Sequence, residues 1–358
     1  MTDHRDGPDG SVSARPPGRA KHPTIRDVAR HAGVSHQTVS RVINREPSVR
    51  QETRARVLMT IEELNYVPNP MARGLIANRT HCIGMVTTDV SDHSFAAAVA
   101  GAEKEARRLG YYLMVASVED GAVEDGGQYL RLLVERRIEG LILARAHGAS
   151  EQVAQARDTG MPIVTIGPHA GEHIAVDVDN VAAARDAVAH LLAAGHRSIA
   201  TITGPEDWHA VQNRIRGYRE TCEEWGVVPR DELVEHALDW SPMSGQAAAA
   251  RLLARGESFT ALFAHSDLLA LGAVRELRAH GLEVPRDVSI VGFDDIDVAA
   301  FSDPPLTTVR QPMEAVGALA ASLVVGQVSD RTAPQKKTHL LPGTLIARES
   351  VATLTRTR

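Results

Sequence analysis

Near the N-terminal end, apolar residues recur at helical spacing in two short segments, 24–32 and 35–44. Thr24 can cap the first segment, and Gly33 can end a helix in the left-handed conformation. Ser35 then supplies the N-cap of a second helix. The apolar positions of the inner face are Ile25, Val28, Ala29, Ala32, Val39, Val42 and Ile43. The pattern predicts two amphipathic helices joined by a tight turn.

The polar residues of the second segment lie on the face that this core leaves free. They are His36, Gln37, Ser40 and Arg41. A glutamine amide can form two hydrogen bonds with adenine, and an arginine guanidinium can do the same with guanine, both in the major groove. A lone polar pair would more simply be solvated. On the second of two capped helices, the pair predicts a DNA-binding helix-turn-helix.

A third helix is predicted at 51–65 from its apolar spacing. The following segment, 69–77, has a good N-cap in Asn69 and a proline at the first helical position. It is short and contains Gly74, so it can be helical only when something packs against it. Leu75 lies on its apolar edge. The alternative is a flexible linker in which Leu75 has no special role.

From Cys82 onward, short apolar strands alternate with helical runs. The strands are predicted at 83–87, 112–116, 140–143, 163–166, 174–178, 199–203, 233–237, 261–263, 289–291 and 338–341, and the helices include 95–109, 128–137, 181–194, 210–225, 245–254 and 268–280. This alternation predicts right-handed crossovers and parallel sheets, hence an α/β fold. Similar helix-to-strand passages at 108–115 and 193–200 indicate two doubly wound lobes. Such lobes bind a ligand at the carboxyl ends of their strands.

Side chains at those strand ends are the candidates for contacts with a small ligand. Asp294 follows one predicted strand, and Arg214 lies near the start of a predicted helix. A guanidinium donates two parallel hydrogen bonds to adjacent hydroxyls and a carboxylate accepts two, which suits a sugar. The aromatic and hydroxyl candidates are Phe95, Trp208, Trp240, Thr88 and Ser266. The alternatives are core packing for the aromatic rings and an ion pair between lobes for Arg214 and Asp294.

Five segments carry a specific combination of residues in a fixed order. They read Thr-Ile-Arg-Asp-Val-Ala at 24–29, Ala-Gly-Val-Ser at 32–35, Thr-Val-Ser-Arg-Val-Ile-Asn at 38–44, Thr-Arg at 53–54 and Leu-Asn-Tyr-Val-Pro-Asn at 64–69. The chain here resembles the lactose-repressor (LacI/GalR) family of transcription regulators. The resemblance continues, more loosely, to about residue 350. It implies an effector domain of the periplasmic-binding-protein type I fold.

The resemblance also implies roles for the matching residues. The implied DNA contacts are Thr24, Ser35, His36, Gln37, Thr38, Ser40, Arg41, Asn44, Arg73 and Leu75. Segment 69–80 would be a hinge helix that pairs with its dimer mate, inserts Leu75 into the minor groove and kinks the DNA. Arg79 would then sit near phosphates. Arg214 and Asp294 would hold effector hydroxyls. The implied assembly is a homodimer on double-stranded operator DNA.

Composition and resemblance together divide the chain. Residues 1–21 have few apolar side chains and are expected to be disordered. Residues 22–68 would form the helix-turn-helix domain and residues 69–80 the hinge. Residues 81–358 would form the effector-binding and dimerisation domain. In this family the chain crosses between the lobes three times, so the first lobe is placed at about 81–179 and 308–338, and the second at about 180–307 and 339–350.

Charge is distributed unevenly along the chain. The net charge of the 358 residues is −6. Residues 22–80 hold nine Arg against five acidic residues, and residues 1–21 hold four basic against three acidic residues. These segments contribute +4 and +1, which leaves −11 for residues 81–358. The basic end is the one suited to phosphate.

Several classes of protein are disfavoured by what the sequence lacks. Cys82 and Cys222 form neither a disulfide framework nor a metal-ligand pair. No apolar run has the length of a membrane span or the pattern of a signal peptide. We therefore expect a cytoplasmic protein with no membrane association, cofactor or metal. Phosphate-loop, nucleophile-elbow and metalloprotease motifs are also missing, which argues against an enzyme.

The identity of the effector stays open. The family commonly has Asn-Asp after one strand, where this chain has His265-Ser266-Asp267, and Gly167-Pro168 replaces a polar contact of some relatives. A sugar or sugar-like polyol is expected, with a purine-like co-repressor as the minority alternative.

The direction of regulation is also open. We expect a repressor that its effector releases. Sequence does not distinguish it from an activator or from a repressor that needs a co-repressor. A solute-binding protein without a DNA role is disfavoured by Gln37, Arg41 and the lack of a secretion signal. The tail 351–358 has no leucine heptads, which favours a dimer over a tetramer.

Overall fold

Three short helices form the N-terminal unit. α1 spans Ile25–His31, α2 spans His36–Ile43 and α3 spans Gln51–Glu63, so the three predicted helices are confirmed. Gly33 has a φ of +65°, the left-handed conformation expected after α1. The buried core consists of Val28, Ala29, Ala32, Val39, Val42 and Val57. These are the apolar faces that the sequence spacing predicts.

The computed structural model describes residues 23–44, 46–67, 79–87, 90–118, 123–144, 160–167, 173–330 and 337–354. The chain divides into two compact units, Met1–Asn78 and Arg79–Arg358. The predicted tail at 1–21 lies outside the described residues, and so does the predicted hinge apart from its last two residues. The expectations of disorder and of a hinge helix therefore stay predictions.

Two parallel sheets form the framework of the second unit. The first contains β1 (Cys82–Thr87), β2 (Tyr112–Ser117), β3 (Gly140–Ala144), β4 (Ile163–Ile166), β5 (Ile174–Val178) and β11 (Lys337–Leu341), and the second contains β6 (Ile199–Thr203), β7 (Val234–His236), β8 (Ala261–Ala264) and β9 (Ser289–Val291). The strand orders are β11-β5-β4-β3-β1-β2 and β7-β6-β8-β9. The predicted strands and the α/β class are confirmed.

Both lobes are doubly wound in the same order. In each sheet the second strand of the lobe lies at the edge, followed by the first, third and fourth. The helices between the strands are α4 (His93–Arg108), α5 (Val123–Glu135), α6 (Asn180–Ala193), α7 (His209–Glu224), α8 (Pro242–Ala254), α9 (Asp267–Ala279) and α10 (Met313–Asp330), with short 3-10 helices at Asp231–Leu233 and Asp297–Ala300. Among the described residues, no helix is both long enough and apolar enough to cross a membrane.

Two short strands were missed by the sequence reasoning. β10 (Thr308–Arg310) and β12 (Thr344–Ile346) pair antiparallel, and parallel bridges join Thr307 to Val291 and Arg310 to Asp294. β10 therefore lies beside the second sheet, although the sequence division begins the return to the first lobe at 308. β11 lies wholly in the first sheet. The first lobe therefore extends beyond its predicted end at about 338. No apolar run marks β10 or β12 in the sequence, so their pairing locates them.

Where described, the chain passes between the two sheets three times. The passages follow β5, lie between β10 and α10, and lie between β11 and β12. A cavity beside these passages is lined by residues from the carboxyl ends of β4, β5, β8 and β9. This is the edge at which doubly wound sheets bind ligands.

Candidate functional site

The second helix of the N-terminal unit presents its polar residues to solvent. The side chains of His36, Gln37 and Arg41 are exposed, while Val39 and Val42 on the opposite face are 0% and 2% exposed. Residues four apart lie on one side of a helix. The amide and the guanidinium therefore share a face from which both can reach the edges of bases in a major groove.

Some predicted DNA contacts also cap helices. The Asp27 carboxylate accepts a hydrogen bond from the Thr24 amide at 2.9 Å, and hydrogen bonds from Thr24 lower the pKa of Asp27. The Ser35 hydroxyl accepts from the Thr38 amide at 3.1 Å. These hydrogen bonds fix the start of each helix, and the Ser35 cap also fixes the orientation of α2 after the turn. The other described candidates are partly or fully exposed: Ser40 and Asn44.

Six of the seven predicted effector contacts line one cavity of about 360 Å³ in the second unit. They are Phe95, Trp208, Arg214, Trp240, Ser266 and Asp294. The seventh, Thr88, lies outside the described residues, as do the DNA-contact candidates Arg73 and Leu75. The structure thus brings together residues more than a hundred positions apart in sequence. That these residues contact a ligand stays a prediction.

Arg214 is the buried cation of this cavity and is 4% exposed. Its Nε donates to Asn180 Oδ1 at 2.8 Å, and its Nη1 donates to the carbonyl oxygen of His265. The guanidinium carbon lies 3.7 Å from the centre of the Phe293 ring. Burial lowers the pKa of Arg214 to about 10, so the group stays charged at neutral pH. Its orientation is therefore fixed before any ligand binds.

Asp294 also lines the cavity and has a strained backbone conformation with a φ of +116°. Its Oδ1 accepts a hydrogen bond from Gln311 Nε2 at 2.5 Å, and the same amide nitrogen lies 3.5 Å from Ser94 Oγ. Burial raises the pKa of Asp294 well above its usual range, although the Arg214 charge opposes this shift. A carboxylate and a guanidinium in one cavity suit hydroxyl groups that donate to one and accept from the other.

Further polar residues that line the cavity were not predicted, among them Asp177, Asn180 and Gln311. Asn180 is 3% exposed and orients Arg214. Burial raises the pKa of Asp177 to about 6. Asp177 and Asn180 lie at the end of predicted strand 174–178, and this position, like that of Asp294, marks them in the sequence as candidates. Gln311 follows β10, which the sequence pattern does not reveal.

The two tryptophans that line the cavity contact each other edge to face. The rings of Trp208 and Trp240 are 5.1 Å apart between centroids at an angle of 71°. Trp240 lies directly on Gly204, where a Cβ atom would come within 2.4 Å of its ring. Phe95 and Trp240 also pack against the core clusters of the first and second lobes. Core packing and cavity lining are thus combined in these rings.

At the start of α9, two polar side chains hold the local structure. The Ser266 hydroxyl accepts from the Leu269 amide at 3.1 Å as the N-cap. The Asp267 carboxylate accepts from the Ile296 amide at 2.9 Å and from the Thr308 hydroxyl at 2.5 Å. Burial raises the pKa of Asp267 to about 6. In the described part of the chain, no group of three or more His, Cys, Asp or Glu is placed to hold a metal ion.

Two family models match the two units of the chain. Residues 24–69 match the model described as bacterial regulatory proteins, lacI family, and residues 188–351 match the model described as periplasmic binding protein-like domain. A helix-turn-helix unit followed by a two-lobed binding unit defines the class as a ligand-responsive DNA-binding protein.

The chain also has similar relatives along nearly its whole length. The HTH-type transcriptional regulator CelR of Thermobifida fusca is 36% identical over 90% of this chain and 98% of its own length. The lac repressor dimer bound to operator and the anti-inducer ONPF is 30% identical with a TM-score of 0.85, covering 93% of this chain and 100% of that one. A CelR–cellobiose complex is 35% identical with a TM-score of 0.71, over 92% and 99%. The chain belongs to the LacI family and is a DNA-binding transcriptional regulator.

Proposed function

We propose that this chain is a homodimeric repressor that leaves its operator when a sugar binds in the cavity of the second unit. The observation that carries the sugar assignment is the cavity in which Arg214 and Asp294 lie with two tryptophans. Guanidinium and carboxylate groups bond hydroxyls, and aromatic rings cover the apolar faces of sugars. The CelR–cellobiose complex supports this choice over a purine-like ligand.

The DNA side of the proposal rests on α2. Gln37 and Arg41 would read base edges in the major groove, and the hinge at 69–80 would contact the minor groove through Leu75. A twofold dimer presents two such helices, so the operator should be nearly palindromic. Because the target is chromosomal DNA, we place the protein in the cytoplasm, with a regulatory rather than an enzymatic role.

Exposed apolar side chains support the homodimer. Tyr112 on the edge strand β2 is 68% exposed, Met243 at the start of α8 is 80% exposed, and Phe301 is 87% exposed. Large apolar side chains exposed in one subunit are candidates for burial against another. They occur on both lobes, as expected if the subunits pair along their length.

The DNA assignment can be tested by selecting genomic fragments with the full-length protein and measuring affinity for the enriched duplex by fluorescence anisotropy. Gln37→Ala and Arg41→Ala should each weaken binding by about 1–3 kcal/mol and relax the base preference at one position. The matched control Arg286→Gln, an exposed arginine of the second unit, should bind like wild type. Unchanged affinity and preference in both α2 variants would refute the assignment.

The effector assignment can be tested on the same duplex with a panel of sugars. One sugar should release wild-type protein, and Arg214→Lys should need at least about tenfold more of it because lysine lacks the paired donors. Arg216→Lys on the same helix, where the arginine is 59% exposed, should respond normally. A ligand that tightens binding would show instead that the protein needs a co-repressor.

A further inference from the structure

Two consecutive aspartates follow β9 and have different surroundings. Asp294 lines the cavity, and its carboxylate accepts a hydrogen bond from the neutral amide of Gln311. Asp295 is not among the residues that line the cavity, and its side chain is 5% exposed. Both residues have a positive φ, +116° for Asp294 and +59° for Asp295. Residues other than glycine rarely adopt such angles, so contacts elsewhere must hold the turn at 294–295.

The Asp295 carboxylate is bonded to two arginines that follow it in the chain. Its Oδ2 accepts a hydrogen bond from Arg310 Nε at 2.7 Å, and its Oδ1 accepts one from Arg348 Nη2 at 2.6 Å. Although burial raises the pKa of Asp295, these hydrogen bonds lower it below its usual value overall. The carboxylate is therefore charged at neutral pH and is held through both of its oxygens.

Arg348 is itself fixed by the segment that precedes β10. Its Nη1 donates to the carbonyl oxygen of Leu306 at 2.7 Å, and its amide donates to Thr307 Oγ1 at 2.9 Å. Its side chain is only 17% exposed. The planar guanidinium is thus oriented by contacts of its own, and it gives Asp295 a partner in a fixed position.

The main chain connects the same region to Asp294. The Asp294 amide donates to the carbonyl oxygen of Val309 at 2.8 Å, and Arg310 lies opposite Asp294 in a parallel bridge. Arg310 therefore contacts the turn twice, through its main chain at Asp294 and through its side chain at Asp295. The direction of the Asp294 carboxylate depends on this turn, because the backbone angles limit the rotamers that a side chain can adopt.

We propose that Asp295 is a positioning residue for effector binding. Its ion pairs with Arg310 and Arg348 hold the turn in the conformation that presents the Asp294 carboxylate to the ligand. This inference rests on the proposed sugar-responsive function and adds to its site a residue outside the cavity. Without the ion pairs, the strained main chain would relax toward more common φ values, and Asp294 would no longer be held ready to bind a hydroxyl group.

The variant Asp295→Asn tests the role of these ion pairs. Asparagine has nearly the same shape and also tolerates a positive φ, so the variant removes the charge and keeps the local preference of the chain. Titration calorimetry on full-length protein would use ribose, glucose, galactose, lactose and cellobiose. The sugar that binds the wild type should bind Asp295→Asn at least about tenfold more weakly, because the support of a binding group has been lost.

The variant Glu235→Gln is the matched control for a purely structural effect. Glu235 in β7 is also a carboxylate paired with two arginines, Arg251 and Arg255, and its side chain is 8% exposed. It is not among the residues that line the cavity. Both substitutions should lower the temperature of thermal unfolding, because each removes a buried charge from its partners. Only Asp295→Asn should weaken sugar binding, and an equal loss of affinity in both variants would overturn the proposal.

Two further variants test the route through Asp294. Arg310→Gln removes one ion pair at a side chain that is 60% exposed, so the fold should tolerate it, and sugar binding should weaken by at least about threefold. The double variant Asp294→Asn/Asp295→Asn should bind the sugar no more weakly than Asp294→Asn alone, because Asp295 acts through Asp294. A further loss of affinity in the double variant would contradict this route.

The outcomes also separate the positioning role from the function on which it rests. If a sugar binds the wild type and Asp295→Asn equally well, the positioning role is wrong and the sugar-responsive function stands. If none of the five sugars binds the wild type, the sugar assignment fails, and the positioning role fails with it.

Discussion

His265 directly follows β8 and is fully buried. Its ring lies 5.0 Å from that of Phe263, and neither ring nitrogen has a hydrogen-bond partner among the described residues. Burial, followed by the nearby charges of Arg214 and His236, holds the pKa of His265 well below its usual value. The native protein therefore keeps this ring neutral.

This burial makes stability depend on pH. An unfolded histidine titrates near pH 6.5, so below that pH the unfolded chain binds a proton that the folded chain does not, and stability falls as pH decreases. Asp177 and Asp267, whose pKa values are raised to about 6, act in the opposite direction because the folded chain binds their protons more readily. The contribution of His265 to the pH dependence of stability is therefore measured as the difference between the wild type and a variant without this side chain.

We predict that His265→Leu flattens the acid side of the stability profile. Between pH 7 and pH 5.5, the wild type should lose about 1 kcal/mol more of its free energy of unfolding than the variant. Urea unfolding followed by circular dichroism at both pH values measures the difference. Equal losses in the two proteins would show that His265 is protonated, or hydrated, in the native state.

At the scale of elements, reciprocal glycines let α4 and α10 pack backbone against backbone. A Cβ atom at Gly101 would lie 1.9 Å from the carbonyl oxygen of Glu314, and one at Gly317 would lie 1.9 Å from that of Ala98. In both cases the obstacle is main chain, which cannot rotate away. The first lobe depends on these two residues for the position of α10 against its sheet.

We predict that Gly317→Ala lowers the free energy of unfolding by about 3 kcal/mol, the upper range for overpacking. Gly326 in the same helix has nothing within 4 Å of its Cβ position, so Gly326→Ala should raise stability by about 0.5–1 kcal/mol. Thermal unfolding of the two variants gives opposite shifts if the close packing is real. Similar shifts would contradict it.

The start of the second unit is held by a carboxylate on the segment before β3. Glu139 accepts hydrogen bonds from Arg79 Nε at 3.2 Å and from the His81 amide at 2.8 Å, and Arg79 also donates to the Tyr111 hydroxyl at 2.5 Å. Although burial raises the pKa of Glu139, these hydrogen bonds lower it below its usual value overall. Arg79, expected near phosphates, is thus paired within its own unit.

Segment 69–80 ends at the contact between Arg79 and Glu139. We therefore predict that Glu139→Gln weakens the effect of sugar binding in the cavity on operator affinity. The sugar should bind with unchanged affinity, but operator release at saturating sugar should fall at least about threefold, as expected for loss of a charged pair in a coupling element. Anisotropy and calorimetry on the same protein separate the two effects. Glu103→Gln, in an exposed pair with Arg107, is the matched control.

At the scale of the whole molecule, we expect operator affinity to depend on the pairing of two subunits. Phe301, 87% exposed, follows a 3-10 helix whose Val298 is also exposed, and both belong to the loop after β9. If this surface is part of the dimer interface, a charged side chain there should destabilise the dimer through its burial. It should leave the fold of the single subunit intact.

We predict that Phe301→Glu weakens the dimer by at least about tenfold and lowers operator affinity with it. Light scattering across a concentration series measures the dimer, and circular dichroism checks the fold. Val228, 81% exposed on another loop, provides the control Val228→Glu. A dimer that survives Phe301→Glu would place the interface elsewhere.

The sequence by itself determined the features that short stretches of chain specify. The helix-turn-helix followed from caps and apolar spacing within about twenty residues, because a helix is stabilised by neighbours three and four positions away. The strands of both sheets followed from apolar runs. Asp294 follows a strand, where ligands bind in this architecture, and both Asp294 and Arg214 match motifs of the family that the chain resembles. Asp177 and Asn180 also lie at a predicted strand end, so the sequence could have indicated them as well.

Only the tertiary structure decided what depends on segments far apart. The β10–β12 pair joins two strands that no apolar run marks in the sequence. Gln311, which donates a hydrogen bond to Asp294, directly follows β10. The anchor at Glu139 and the contact of Gly317 with Ala98 also join residues distant in sequence. Hydrogen bonds and packing act through space, and nothing in the local sequence around either partner records which distant segment will be its neighbour.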